Sequence, residues 1–277
     1  MSMAVVMSNK EVKAALKSAR EAINNKEFKE VLKHCKTVLK LEKNNYNAWV
    51  FIGKAASELE QPDQSQAAYK KAVELEPDQL LAWQGLANLY ENTDQWDFKD
   101  ELPNVYQKLV ELYARTDKNK SYDMIKKLSD IYQSDRDYLK LAKVCLQLVQ
   151  LKEDEGVDKK ELVQLLQNMT QFLSDGISNE EQDNETQQHL ITAFEKAIIL
   201  IEPVPGEEHK KLLTGYIKCL SKLPHEEGKM KEACQSMLSV YPRQTYPLEV
   251  LCSHYLKTSK LLLSYTYSLE AFYDIVE

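Results

Sequence analysis

The segment YNAWVFIGKAASELEQPDQSQAAYKKAVELEPDQ, Tyr46–Gln79, sets a tryptophan after an alanine near its start. The chain then repeats the pattern: in LLAWQGLANLYE, Leu80–Glu91, Trp83 follows Ala82, 34 positions beyond Trp49. Numbered as a unit with Trp49 at position 4, the segment puts Ile52, Gly53, Tyr69, Ala72 and Pro77 at positions 7, 8, 24, 27 and 32. The following unit puts Trp83, Leu86, Ala87 and Tyr90 at positions 4, 7, 8 and 11. The preceding one, Val12–Asn45, puts Ala19, Ala22, Phe28 and Val38 at 8, 11, 17 and 27. Such a period marks a repeat array, because each unit can bury its apolar face only against its neighbours.

These are the positions and residue types of the tetratricopeptide pattern, two antiparallel helices, A and B, per unit. A small residue at position 8 of helix A lets helix B, with its own small residue near position 20, approach closely, while larger residues fill the gaps between layers. Pro77 ends helix B because proline cannot continue it. The predicted packing set is therefore Trp49, Gly53, Tyr69, Ala72, Pro77, Trp83, Ala87 and Tyr90. If the Trp49 ring is buried, truncation to alanine costs roughly 3–5 kcal/mol.

Later units diverge. ENTDQWDFKDELPN, from Glu91, is expected to lengthen a turn. A fourth unit fits Tyr122–Glu155, and a fifth has helix A near Lys159–Leu173, an acidic loop SDGISNEEQDNE, and a helix B ending AFEKAIILIEP, which echoes AYKKAVELEP of the second unit. A sixth covers Glu207–Tyr241 and a seventh helix A starts near Pro247. The expectation is an all-α tetratricopeptide-repeat α-solenoid of about seven helix pairs, regular for the first three. Residues 1–8 are expected to be a disordered N-terminus, 9–257 the solenoid, and 258–277 an atypical C-terminal segment, a final helix or a truncated end.

Composition agrees. Among 277 residues there are only 7 glycines and 8 prolines, too few for the tight turns of an all-β protein. The net charge of −7 does not suit a nucleic-acid-gripping surface. The start lacks a basic n-region and no apolar run is long enough to cross a bilayer, so neither a secretory signal nor a membrane span is expected. Five widely spaced cysteines suit reduced thiols in an intracellular protein, and the sequons at Asn168 and Asn184 then read as chance. No phosphate-cradling loop, nucleophile elbow, HExxH or CxxC occurs, so no catalytic residue, cofactor or metal site is predicted. His34 and Cys35 are neighbours on a helix and point in different directions, which disfavours a nucleophile pair.

Function is expected on the concave face, at helix A positions 2, 5, 9, 12 and 13. Its candidate partner-binding residues are Lys13, Arg20 and Asn24 in the first unit, Asn47, Lys54 and Glu58 in the second, and Gln84, Asn88 and Glu91 in the third. The lysine–asparagine clamp with which chaperone-binding members hold a C-terminal carboxylate is not reproduced: position 5 is Leu16, Val50 and Gln84. A mixed groove of this kind suits an extended or helical protein segment, as in a stand-alone peptide-binding adaptor. Trp96, outside the register, is a candidate loop contact.

The wording of KHCKTVLK, NNYNAWVFIG, PDQLLAWQGLANLYE, DNETQQ and YPLEVLC resembles the N-terminal repeats of the large tetratricopeptide scaffold subunit of the metazoan superkiller (Ski) complex. The last two stretches are not ones the fold dictates. The resemblance implies a non-enzymatic scaffold whose partners are an RNA helicase subunit, β-propeller subunits and an exosome-bridging factor. It implies RNA contact only through them, no membrane, and a cytoplasmic location with the nucleus as a second compartment. In that family the complex feeds mRNA to the cytoplasmic exosome for 3′-to-5′ decay.

Overall fold

The computed structural model describes residues 3–93, 96–156, 158–177, 184–201 and 206–257. Among them lie thirteen α-helices and no strand. In chain order they are α1 Met3–Asn24, α2 Phe28–Leu41, α3 Tyr46–Glu58, α4 Pro62–Leu75, α5 Leu80–Glu91, α6 Trp96–Ala114 and α7 Lys118–Ser134. There follow α8 Tyr138–Asp154, α9 Lys159–Ile177, α10 Asn184–Leu200, α11 Glu207–Leu220, α12 Glu227–Val240 and α13 Tyr246–Lys257, with a 3₁₀ turn Pro224–Glu226 before α12. Odd-numbered helices are the A helices of the predicted register and even-numbered ones the B helices. Helix α1 takes in residues 3–8, which the sequence placed outside the repeats. Segment 258–277 lies outside the described residues.

The helices divide between two compact units, Met1–Ile131 and Tyr132–Glu277. Within the first, each of α1 to α5 packs on the next helix, and the A helices α1, α3 and α5 also touch in sequence. Within the second, α9, α11 and α13 do the same, with α10 and α12 behind them. Small residues make the close approaches: Ala19, Ala48, Ala55 and Ala72 are fully buried, and the Ser65 hydroxyl, at position 20, donates to the Gly53 carbonyl at 2.8 Å.

The register is visible in the backbone as well. Lys26, Glu60 and Arg136 have φ of 61°, 57° and 57°, and all three fall at position 15, in the turn from helix A to helix B. At each, the amide of the next residue bonds back five residues, Glu27 to Ala22, Gln61 to Ala56 and Asp137 to Tyr132, which is the Schellman closure of a helix end. None of the three is a glycine. The left-handed turn is thus set by the packing of helix B on helix A, at a local cost of about 1–2 kcal/mol.

Two expectations change. The insertion after α5 does not lengthen a turn; apart from its first residues it forms the start of α6, with Pro103 inside the helix. An internal proline costs about 3 kcal/mol. Here the extra turns bury Phe98 and Leu102, set Phe98 against the Tyr90 ring at 5.4 Å between centroids, and place Glu101 where it pairs with Lys70 at 2.8 Å. That tertiary gain outweighs the proline.

The second change concerns the tryptophans. Trp49 and Trp83 are only partly buried. Their indole N–H groups donate to the carbonyls of Lys43 (3.1 Å) and Pro77 (2.8 Å), each six residues back, so each ring staples the turn that leads into its own helix. Pro77 is itself exposed and acts through its backbone: it follows the end of α4 and offers its carbonyl to Trp83. Truncating a half-buried ring costs less than truncating a core one, and about 2 kcal/mol replaces the larger figure for Trp49→Ala. Trp49→Phe, which keeps most of the ring and loses only the donor, should lower stability by about 1 kcal/mol in urea unfolding.

Candidate partner-binding faces

On α1, the side chains of Lys13, Arg20 and Asn24 stand exposed at seven- and four-residue spacing, on one helix face. They make no ion pair with any described residue. On α3, Asn47 is exposed, while Lys54 and Glu58 pair with each other at 2.5 Å. On α5 the predicted residues separate. Asn88 is exposed, but the half-buried Gln84 amide donates to the Tyr113 hydroxyl, and Glu91 accepts from the Tyr106 hydroxyl and pairs with Lys127 at 2.7 Å. Gln84 and Glu91 therefore tie α5 to α6 and α7, leaving Asn88 as the predicted α5 residue that faces solvent unpaired. The backbone of Trp96 opens α6 rather than sitting in a loop, and its side chain lies outside the described residues.

The predicted packing residues are supported by polar ties. Tyr90 is fully buried, and its hydroxyl donates to Glu101 and accepts from the Gln66 amide, both at 3.0 Å, joining α4, α5 and α6. Asn45 caps α3 through Ala48 N–H, whereas Gln79 makes no side-chain cap on α5. There the Tyr46 hydroxyl accepts from Ala82 N–H at 3.1 Å, so one A helix caps the next. Tyr69 and Ala72 are buried, and Gly53 and Ala87 lie beneath the helix contacts. Tyr69 also presses on Gly85, a contact the repeat consensus does not announce.

Three of the five cysteines are held as protonated thiols. Cys35 and Cys234 are fully buried and burial pushes each thiol up to about 12, that of Cys219 to about 11; none of the five cysteines forms a disulfide with another described residue. A thiol held so far above neutrality is not a nucleophile. Sequon Asn168 lies inside α9 with Thr170 buried. No described helix is long and apolar enough to cross a membrane.

In the second unit a cleft of about 460 Å³ opens between α9 and α11 over a floor contributed by α10. Sequence reasoning assigned no face here. One wall carries Gln164, Gln167, Asn168 and Gln171, the other Lys211, Lys218 and Lys222, and Leu190 and Phe194 lie beneath. Nearby, Tyr241 organises the start of α11. Its hydroxyl donates to the Gly206 carbonyl (2.9 Å) and accepts from Gly206 N–H (3.0 Å), which leaves one lone pair for His209 Nδ1–H at 3.2 Å.

Burial depresses the His209 pKa below its usual value of 6.5. Below about that pH the unfolded chain binds a proton that the folded chain refuses, so stability falls. The Glu227 carboxyl, held down to about 2 by Lys231 and His254, contributes a loss only further into acid, beginning below its ordinary 4.5. The melting temperature should therefore decline from about pH 7 to about pH 5, and His209→Gln should flatten that decline.

Paired helices in a common 34-residue register, with close approach at position 8, define a tetratricopeptide-repeat protein. Over 92% of its length the chain is 62% identical to Tetratricopeptide repeat protein 37 of Xenopus laevis and 57% identical to Superkiller complex protein 3 of Homo sapiens. A 120-residue stretch is 36% identical to Superkiller protein 3 of Schizosaccharomyces pombe. The chain is thus homologous to superkiller complex subunit 3 proteins, as its wording indicated, and it spans 16% of the length of the first two. No protein-family profile matches it. Among solved structures, MamA covers 69% of the chain at 17% identity with a TM-score of 0.41, and the P58(IPK) TPR domain covers 94% at 11% identity with a TM-score of 0.33.

Proposed function

We propose that this chain is the N-terminal, non-enzymatic interaction arm of a superkiller-complex scaffold subunit. It works in the cytoplasm, where it supports helicase-driven delivery of mRNA to the exosome for 3′-to-5′ decay. Its partners on this reading are proteins, namely the RNA helicase subunit, β-propeller subunits and an exosome-bridging factor, and RNA is reached through them. The observation that carries the reading is the 57% identity with human Superkiller complex protein 3 across 92% of the chain. The exposed, unpaired Lys13, Arg20, Asn24, Asn47 and Asn88 on successive A helices supply the contact chemistry. Polar and basic side chains already free of internal partners bind without first breaking an ion pair.

The test is affinity purification of the tagged chain from a metazoan cell line, with the helicase and exosome-bridging proteins quantified. They should be enriched, and Lys13→Glu with Arg20→Glu should cut their recovery severalfold while leaving the melting temperature unchanged. Enrichment of chaperones alone would overturn the reading.

A further inference from the structure

The α9–α11 cleft has a chemistry that the α1, α3 and α5 face lacks. Lys211, Gly215 and Lys218 recur at four and three residues along one face of α11, and Lys222, in the turn just beyond the helix, joins them in the lining of the cleft. All three lysines are exposed, and none pairs with a carboxylate among the described residues. In the same unit, by contrast, Lys143, Lys196 and Lys229 each hold a glutamate. Glu208 is the one acidic residue among the described residues of the lining.

Across the cleft, Gln164 and Asn168 stand four apart and bond to each other at 3.0 Å, with Gln167 and Gln171 beside them. Primary amides offer both donors and acceptors, the complement of an extended peptide backbone. The wall of amides faces a wall of ammonium groups above an apolar floor of Leu190, Leu212 and Phe194.

We infer that this cleft binds an extended acidic polypeptide segment, its backbone on the α9 amides and its carboxylates on Lys211, Lys218 and Lys222. At 1.5 Å per helical residue Lys211 and Lys218 stand about 10 Å apart, the length of roughly three extended residues, and Lys222 extends the row beyond the helix end. Long lysine side chains tolerate internal Asp or Glu at several positions, so the site reads acidic side chains rather than a chain terminus. A nucleic-acid backbone is the less suitable occupant. Among its described lining residues the cleft has three lysines with Glu208 beside them and one aromatic ring, Phe194, which is buried and offers exposed bases no surface to stack on. The inference rests on the chain being a protein-interaction scaffold, and it does not depend on which complex the scaffold serves.

The test uses the 277-residue chain and three fluorescent probes: an end-capped peptide of eight residues with Glu at alternate positions, its Lys counterpart, and a single-stranded RNA 12-mer. The Glu peptide should bind, weaken steeply with added salt, and lose at least tenfold in affinity in the Lys211→Glu, Lys218→Glu, Lys222→Glu triple variant. The control variant Lys10→Glu, Lys29→Glu, Lys36→Glu makes the same charge change on exposed lysines of the first unit and should bind like the parent chain. The Lys peptide should bind only the α11 variant. Equal loss in both variants, or binding of the RNA in preference to the Glu peptide, would overturn the inference. Superkiller partners failing to co-purify while the Glu peptide still binds would reject the assignment to that complex and leave the cleft standing.

Discussion

Replacing Gly85 with alanine is expected to destabilise the first unit by about 2–3 kcal/mol, although alanine is the better helix former by about 1 kcal/mol. A Cβ at Gly85 would sit 2.2 Å from Tyr69 Cε1 and 2.3 Å from Cζ, far inside any real contact. A Cβ at Gly53 would meet the same ring edge at 2.7 Å. Tyr69 thus packs against glycines on α3 and α5 at once, and it is only 4% exposed, so the ring has little room to withdraw. Tyr69→Leu should make the Gly85→Ala change neutral or stabilising, because a leucine does not reach the contested space. Tyr69→Phe should not relieve it, since the clashing carbons remain. Urea unfolding of the two single variants and the double variant measures the coupling. A Gly85→Ala protein as stable as the parent would show that the Tyr69 ring shifts freely, and the close approach would then not hold the second and third repeats together.

Phe194→Ala should cost the second unit about 3–5 kcal/mol. AFEKAIILIEP aligns Phe194 with Tyr69, Ala193 with Ala68 and Ala197 with Ala72, and all six are buried. The physical equivalence extends to the neighbour: a Cβ on Gly215 would meet Phe194 at 2.9 Å, as one on Gly85 meets Tyr69. The Phe194 ring also lies 5.9 Å from the Tyr216 ring, whose hydroxyl donates to Glu195. Removing it leaves a cavity beneath the α9–α11 cleft and loosens α11, the helix that carries Lys211 and Lys218. Phe194→Leu, which refills most of the volume, should recover more than half of the lost stability. If Phe194→Ala unfolded at the same urea concentration as the parent, the fifth repeat would not be packed as the second is.

How much of this was readable beforehand follows from what each residue depends on. A small residue at position 8, met by Ala19, Gly53 and Ala87, is a demand made within one helix pair, so it recurs in the sequence and shows as a period. The same holds for Lys26, Glu60 and Arg136, which share a register position even though their side chains have nothing in common. The insertion before α6 was misjudged because local signals, a proline and a run of polar residues, favoured a turn, and only burial of Phe98 and Leu102 reversed them. Gln84 and Glu91 fell at groove positions, and nothing in their own helix shows that Tyr113, Tyr106 and Lys127 would claim them.

By itself the sequence determined the helical class, the repeat register, the pairing of most helices and the kinship with superkiller subunits, because each of these rests on local periodicity or on wording. Only the tertiary structure decided that the tryptophans staple turns instead of filling a core. It alone decided that Gly85 is as constrained as Gly53, and that the amides of α9 line one cleft with Lys211, Lys218 and Lys222. The last two outcomes depend on side chains from different parts of the chain coming together in space, up to about 58 residues apart, and no spacing rule within one helix records which partner will be there.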